Sequence, residues 1–189
     1  QVLMHMTGSA DLVVADYFHM FHPGVRDIVL EKAGLELEDC IIVVDEAHNL
    51  PSRTRSLFSS SLSMPNLKKA KTEAETFGYY SEQERLERLQ QKVASIARDE
   101  LGQTSHEERI DKETLKDSIE SFYDYEDLIV DLEHVAEEGE EEQEKSYCAG
   151  IAEFLDDWNG QDEGFIRCIK RSMGSGGNRY IQIKYSCLN

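Results

Sequence analysis

The run Ile41-Ile42-Val43-Val44, followed by Asp45-Glu46-Ala47-His48-Asn49-Leu50, constrains this chain more than any other segment. Four β-branched residues in succession predict a strand buried on both faces of a parallel sheet, and Leu50-Pro51 closes the element soon after. Asp45 and Glu46 then fall at the carboxyl end of that strand, where open α/β sheets bind their ligands. Two adjacent carboxylates there suit a nucleotide-hydrolysing site. The first can hold Mg²⁺ through its water shell, and the second can polarise an attacking water. The plainer alternative is a strand that ends in a solvated acidic turn; the D-E-A-H string directly after the apolar run favours the chemical reading.

Three stretches resemble the XPD family of superfamily 2 DNA helicases: Ala10-Asp11-Leu12-Val13-Val14-Ala15-Asp16-Tyr17-Phe18-His19, Asp45-Glu46-Ala47-His48-Asn49-Leu50-Pro51 and Ser59-Ser60-Ser61-Leu62-Ser63. In that family a strand of the DVVVxxY type precedes the DEAHN-L motif, and a largely helical insertion, the Arch domain, follows it. The resemblance is specific over residues 10–63 and rests on position and helical character over 64–178. It implies that Asp45 binds the Mg²⁺ of ATP, that Glu46 is the catalytic base for hydrolysis, and that His48 couples the nucleotide state to a second motor domain. It also implies a 4Fe–4S cluster in the larger protein. The family's cluster ligands lie before the DEAH strand, where this chain offers only Cys40, so those ligands are expected outside it.

The net charge of −18 is concentrated in one place. Residues 107–163 hold 22 acidic and 4 basic side chains, which leaves the rest of the chain balanced. An acidic lobe of this kind repels nucleic acid locally without excluding it elsewhere. The cysteines Cys40, Cys148, Cys168 and Cys187 show no C-x-x-C spacing, as expected of reduced thiols in a cytoplasmic or nuclear setting, with Cys40, Cys168 and Cys187 read as small packing residues. His5, His19, His22, His106 and His134 have no convincing metal-ligand spacing. No apolar run approaches the ~20 residues that span a bilayer, so no membrane partner is expected. The chain begins at Gln1 and stops just past a strand-like run, as a piece of a larger protein would.

Along the chain, Leu12 to Ala15 predicts a second parallel strand, and Val25 to Ala33 a helix closed by Gly34. Leu86, Leu89, Val93 and Ile96 set a 3-4-3 apolar stripe in a helix over 82–101. Leu115, Ile119, Phe122, Ile129 and Leu132 extend the pattern over 114–136, with 102–110 as a loop closing a helical hairpin. Glu137 to Glu144 reads as a solvated acidic connection, and Tyr147, Ile151, Phe154 and Trp158 as the stripe of a third helix. Two strands over 165–171 and 179–188 flank the glycine-rich turn 172–178. The second strand alternates Ile181, Ile183, Tyr185 and Cys187 against Gln182, Lys184 and Ser186.

Two basic groupings are candidates for contacts to single-stranded DNA. Lys68, Lys69 and Lys71 continue into Arg85, Arg88, Lys92 and Arg98, while Arg167, Lys170, Arg171, Arg179 and Lys184 interleave with Phe165 and Tyr180 on the hairpin. Aromatics beside arginines hold single strands without reading sequence; ordinary solvated faces are the competing explanation. No G-x-x-x-x-G-K-S/T phosphate loop occurs in the sequence, so this chain alone is expected not to turn over ATP.

The expected fold is therefore mixed α/β: a partial parallel-sheet piece of a helicase motor domain over 1–63, a mainly helical Arch insertion over 64–178 with a C-terminal β-hairpin, and a return strand over 179–189. The implied parent is an ATP-dependent 5′–3′ DNA helicase of repair or transcription type. The alternative is a non-enzymatic interaction module docking a protein partner on its acidic lobe.

Overall fold

The computed structural model describes residues 12–140, 146–174 and 176–188. The chain divides into two compact units, one over 1–59 and one over 60–188. The expected strand Leu12–Ala15 lies within the described residues, but Ala10 and Asp11 of the resembling stretch, and residues 141–145 of the acidic connection, lie outside them.

In the first unit, α1 (Tyr17–Phe21) and α2 (Pro23–Ala33) follow each other closely. The Asp16 side chain accepts from Phe18 N–H at 3.0 Å and starts α1. Gly34, at φ 67°, closes α2 in the left-handed conformation that glycine adopts without a Cβ penalty, as its sequence position predicts. Short 3₁₀ turns cover Leu37–Asp39 and Ala47–Asn49, and α3 (Leu50–Leu57) follows the second.

The two parallel strands expected here are absent. Residues 12–15 and 41–44 lie outside regular secondary structure, and Val14, Ile41 and Val43 are 90, 95 and 89 % exposed. A strand exists only when a neighbour takes its N–H and C=O groups, and among the described residues none lies beside these runs. β-branched composition alone does not supply the partner.

The second unit places helices on one face of a four-stranded sheet. Its elements are β1 (Ser60–Ser63), α4 (Met64–Thr76), α5 (Tyr80–Leu101), β2 (Glu107–Arg109), α6 (Lys112–Glu120), α7 (Tyr125–Glu140), α8 (Tyr147–Trp158), β3 (Phe165–Met173) and β4 (Arg179–Cys187). The sheet order is β1-β4-β3-β2 and every pairing is antiparallel, so the only sheet among the described residues corrects the expected parallel one.

Helical periodicity holds where it is strongest. Leu86, Leu89, Val93 and Ile96 all point into the core from α5, as do Ile151, Phe154 and Trp158 from α8. The expected single helix over 114–136 is instead two. Residues 121–124 break it, and the Asp124 carboxylate accepts from the N–H groups of Glu126 and Asp127 at 3.0 Å each, which starts α7. The expected loop 102–110 contains β2, whose residues are exposed and are held by pairing with β3. Helix hairpins form between α4 and α5, where Lys71 meets Glu87 at 3.1 Å, and between α7 and α8, where Tyr125 donates to the Leu155 carbonyl at 2.6 Å.

The β3–β4 hairpin forms as predicted. Register pairs Ile169 with Ile183 and Arg167 with Tyr185, while Leu62 of β1 meets Ile183 from the other side. Leu62, Ile169, Ile183 and Tyr185 share the face that joins the helical core. The opposite face presents Ser61, Lys170, Ser172, Gln182, Lys184 and Ser186.

Candidate nucleotide-hydrolysis turn and nucleic-acid contacts

Asp45 and Glu46 form a turn directly after the exposed apolar run. Glu46 has φ 49° and ψ 41°, the only non-glycine residue with positive φ among those described. The left-handed region costs a residue with a Cβ about 1–2 kcal/mol, so something must hold it there. Three contacts do. The Asp45 Oδ1 accepts from the Glu46 N–H at 2.9 Å, and the Glu46 carbonyl accepts from Asn49 N–H at 2.9 Å. The Tyr17 hydroxyl donates to the Asp45 carbonyl and approaches the Glu46 carbonyl at 3.3 Å.

Both ends of the motif stay open to solvent. His48 Nδ1 lies 3.1 Å from Glu46 Oε2, and both side chains are largely exposed. The turn thus presents two carboxylates and an imidazole from four consecutive positions. Mg²⁺ keeps most of its water shell and is satisfied by one or two carboxylates, a demand that Asp45 with Glu46 fits. No cluster of three or more His, Cys, Asp or Glu side chains suited to a metal occurs among the described residues.

The basic candidates separate by environment. The Arg85 guanidinium is half-buried; it bonds Glu82 at 3.1 Å and Asp131, and lies 4.0 Å from the centre of the Tyr123 ring. Arg167 is 6 % exposed and bonds the carbonyls of Trp158 and Gly160 and the Asp162 carboxylate. Arg171 donates to the carbonyls of Ser105 and Gly102. Arg88 is exposed and pairs with Glu84 at 2.7 Å, a contact that solvent screens. Arg179 is exposed at the head of β4, and Lys170 and Lys184 lie on the sheet face turned away from the helices. Lys92 is half-buried on α5.

The place of Tyr17 at this turn is not legible from the sequence alone. Its signal was an aromatic at the end of a DVVVxxY-like segment, two elements away from the carboxylates it touches.

Residues 2–67 match the DEAD_2 family model. Over that stretch the chain is similar to the N-terminal region of XPD-type helicases. The chain is also similar to two curated proteins named ATP-dependent DNA helicase CHL1. That of Eremothecium gossypii is 35 % identical over 63 residues, covering 33 % of this chain and 7 % of that protein. That of Kluyveromyces lactis is 34 % identical over 60 residues, covering 32 % and 7 %. The alignments therefore span a small part of those helicases. No helix among the described residues is long and apolar enough to cross a membrane.

Proposed function

We propose that this chain is part of an ATP-dependent DNA helicase in which the Asp45–His48 turn is motif II. The observation that carries the reading is the turn itself, with adjacent carboxylates held open to solvent by a strained backbone, inside the segment that matches helicases. Glu46 would take the proton of the attacking water, and Asp45 would hold the Mg²⁺ that neutralises phosphate charge. His48 would couple the nucleotide state to a second motor domain, a role supported by its 3.1 Å contact with Glu46.

The phosphate loop, the neighbouring strands and a 4Fe–4S cluster would come from elsewhere in the protein. The exposed apolar runs 12–14 and 41–43 have the composition of strands that pair with such neighbours. Residues 64–178 would serve as the Arch, with β4 completing its sheet rather than leaving it for the motor domain. The parent would move 5′ to 3′ along one strand in DNA repair or transcription, in the nucleus or an archaeal-type cytoplasm. Lys170, Lys184 and Arg179 on the sheet, with Arg88 and Lys92 on α5, are the contacts to single-stranded DNA that fit this role, because their cations are not enclosed by the fold.

In the full-length protein, Glu46→Gln should keep ATP binding and lose turnover by orders of magnitude. Normal turnover in that variant would remove Glu46 from the role. A second reading, docking of a basic protein segment, draws on the exposed surface of α7, where Glu126, Asp127, Glu133, Glu137 and Glu138 surround Val130, itself 60 % exposed. Capture of a defined lysine-rich peptide without any single-stranded DNA binding would favour it.

A further inference from the structure

We infer that Tyr17 is a positioning residue for Glu46, an inference that rests on the motif II reading above. Its hydroxyl reaches across 28 residues of sequence to the Asp45 carbonyl, and lies 3.3 Å from the next carbonyl, that of Glu46. One O–H held between two successive carbonyls fixes the peptide planes on either side of Glu46. Those planes set the direction of the Glu46 Cα–Cβ bond, and so where its carboxylate points.

The need for such a clamp follows from the backbone. Glu46 sits at φ 49°, a conformation a non-glycine residue leaves when free to do so. The Asp45 Oδ1 contact to Glu46 N–H is local and exposed, and the Glu46–His48 contact is between two exposed side chains. Neither ties the turn to anything outside the motif. Tyr17 does, because it belongs to α1, whose start is fixed by Asp16 and whose body packs against α3, the helix that leaves the motif. The Tyr17 ring is half-buried and lies 6.2 Å from the Phe21 ring, so the hydroxyl is delivered from a seated aromatic. A phenol hydroxyl also donates one proton, which suits a pair of adjacent carbonyls.

The test is Tyr17→Phe in the full-length protein, with Glu46→Gln beside it. Loss of the hydroxyl should lower kcat for ATP by about tenfold to a hundredfold, as a mispositioned catalytic group does, with KM nearly unchanged. The melting temperature should stay that of the wild type. In this chain, amide exchange at Glu46 and Asn49 should quicken in Tyr17→Phe while that of α2 does not. An unchanged kcat would overturn the inference while Glu46→Gln still abolishes turnover. So would a kcat loss matched by lower melting temperature and weaker ATP binding, which marks a purely structural residue. Wild-type turnover in Glu46→Gln would instead sink the motif reading, and this inference with it.

Discussion

The Arg167 guanidinium lies 4.6 Å from the centre of the Tyr185 ring, across one rung of the β3–β4 ladder. From that position it donates to the Trp158 carbonyl through Nε (3.1 Å) and Nη2 (2.8 Å) and to the Gly160 carbonyl at 2.9 Å. Tyr185 donates to the Gln161 carbonyl at 2.6 Å, so this one rung fastens the end of α8 to the sheet. Lys112 joins from α6, bonding the carbonyls of Asn159 and Gly160 at 3.1 and 2.6 Å. Two cations thus answer the unpaired carbonyls at a helix C-terminus, where the macrodipole favours positive charge. Space is tight as well: a Cβ on Gly160 would lie 2.7 Å from the Asp157 carbonyl.

Arg167→Met should therefore act on stability. It keeps much of the stacked volume but takes both donors from the Trp158 carbonyl, while Lys112 still serves that of Gly160, at a cost of about 2 kcal/mol. Urea unfolding of residues 60–188 measures it. A loss below about 0.5 kcal/mol, the range of an ordinary surface substitution, would show that solvent replaces these bonds.

Glu73 on α4 plays the opposite part at the other end of α8. It is buried, and its Oε2 accepts from Tyr147 N–H at 2.7 Å and Cys148 N–H at 3.1 Å, while Ser146 Oγ accepts from Ala149 N–H at 3.0 Å. A negative charge there complements the helix dipole. Glu73→Gln retains the shape without the charge and should cost about 1–2 kcal/mol. The same unfolding experiment reads it, and an unchanged midpoint would mean that Ser146 alone suffices as the cap.

These anchors explain what the sequence could and could not disclose. Stripes such as Leu86, Leu89, Val93 and Ile96 are legible because burial and helical period coincide. Ile183 and Tyr185 are legible because one face of β4 meets the helices and the other does not. The break at 121–124 is hidden because Phe122 still packs against the core, so the apolar stripe runs across the interruption. β2 is hidden because Glu107-Glu108-Arg109 has no pattern of its own and exists through its pairing with β3. Ile41 to Val44 mislead for the converse reason, strand composition without a pairing partner among the described residues. At the site, Asp45, Glu46 and His48 could be named from the string, but the positive φ of Glu46 and the long-range bond from Tyr17 are tertiary facts.

The limits of the folding unit give a further prediction. Leu62, Ile169, Ile183 and Tyr185 belong to the same core as Leu67, Leu89 and Phe154, so helices and sheet stabilise one another. Residues 60–188 alone should melt cooperatively. Residues 66–163, which lack β1, β3 and β4, should expose that apolar face and remain a molten or unfolded chain. Circular dichroism and dye binding distinguish them, and a cooperative melt from 66–163 would show the helices to be self-sufficient.

Alkaline pH should weaken this unit. Burial pushes the Cys148 thiol far above its ordinary value of 9.0, with Glu73 adding to the shift, and raises the Tyr125 phenol strongly above 10.0. Burial and the Glu107 carboxylate raise Cys168 to about 11. Each group binds its proton more tightly when folded, so its contribution is complete below the unfolded value and is lost as pH rises toward the folded one. Stability should be level from pH 7 to 8.5 and fall above about pH 9. Cys148→Ala should shift the whole curve down yet flatten its alkaline limb. A limb of equal slope in that variant would assign the titration to other groups.

DNA affinity should follow the cations that the fold leaves outside. Neutralising Lys170, Lys184 and Arg179 together should weaken single-stranded DNA binding and reduce its salt dependence, since each phosphate contact on a single strand releases about 0.7 counterions. Arg88→Gln should add a smaller effect, because Glu84 already shares that charge. Arg167→Met, by contrast, should leave the salt slope alone at temperatures where the protein remains folded, since its donors are taken by Trp158, Gly160 and Asp162. Fluorescence anisotropy with a labelled oligonucleotide at several salt concentrations separates these outcomes. A flattened slope in Arg167→Met with the sheet lysines intact would place the strand at the end of α8. An unchanged slope in the triple variant, with binding retained, would move the DNA to α5 and make Arg88 and Lys92 the next pair to neutralise.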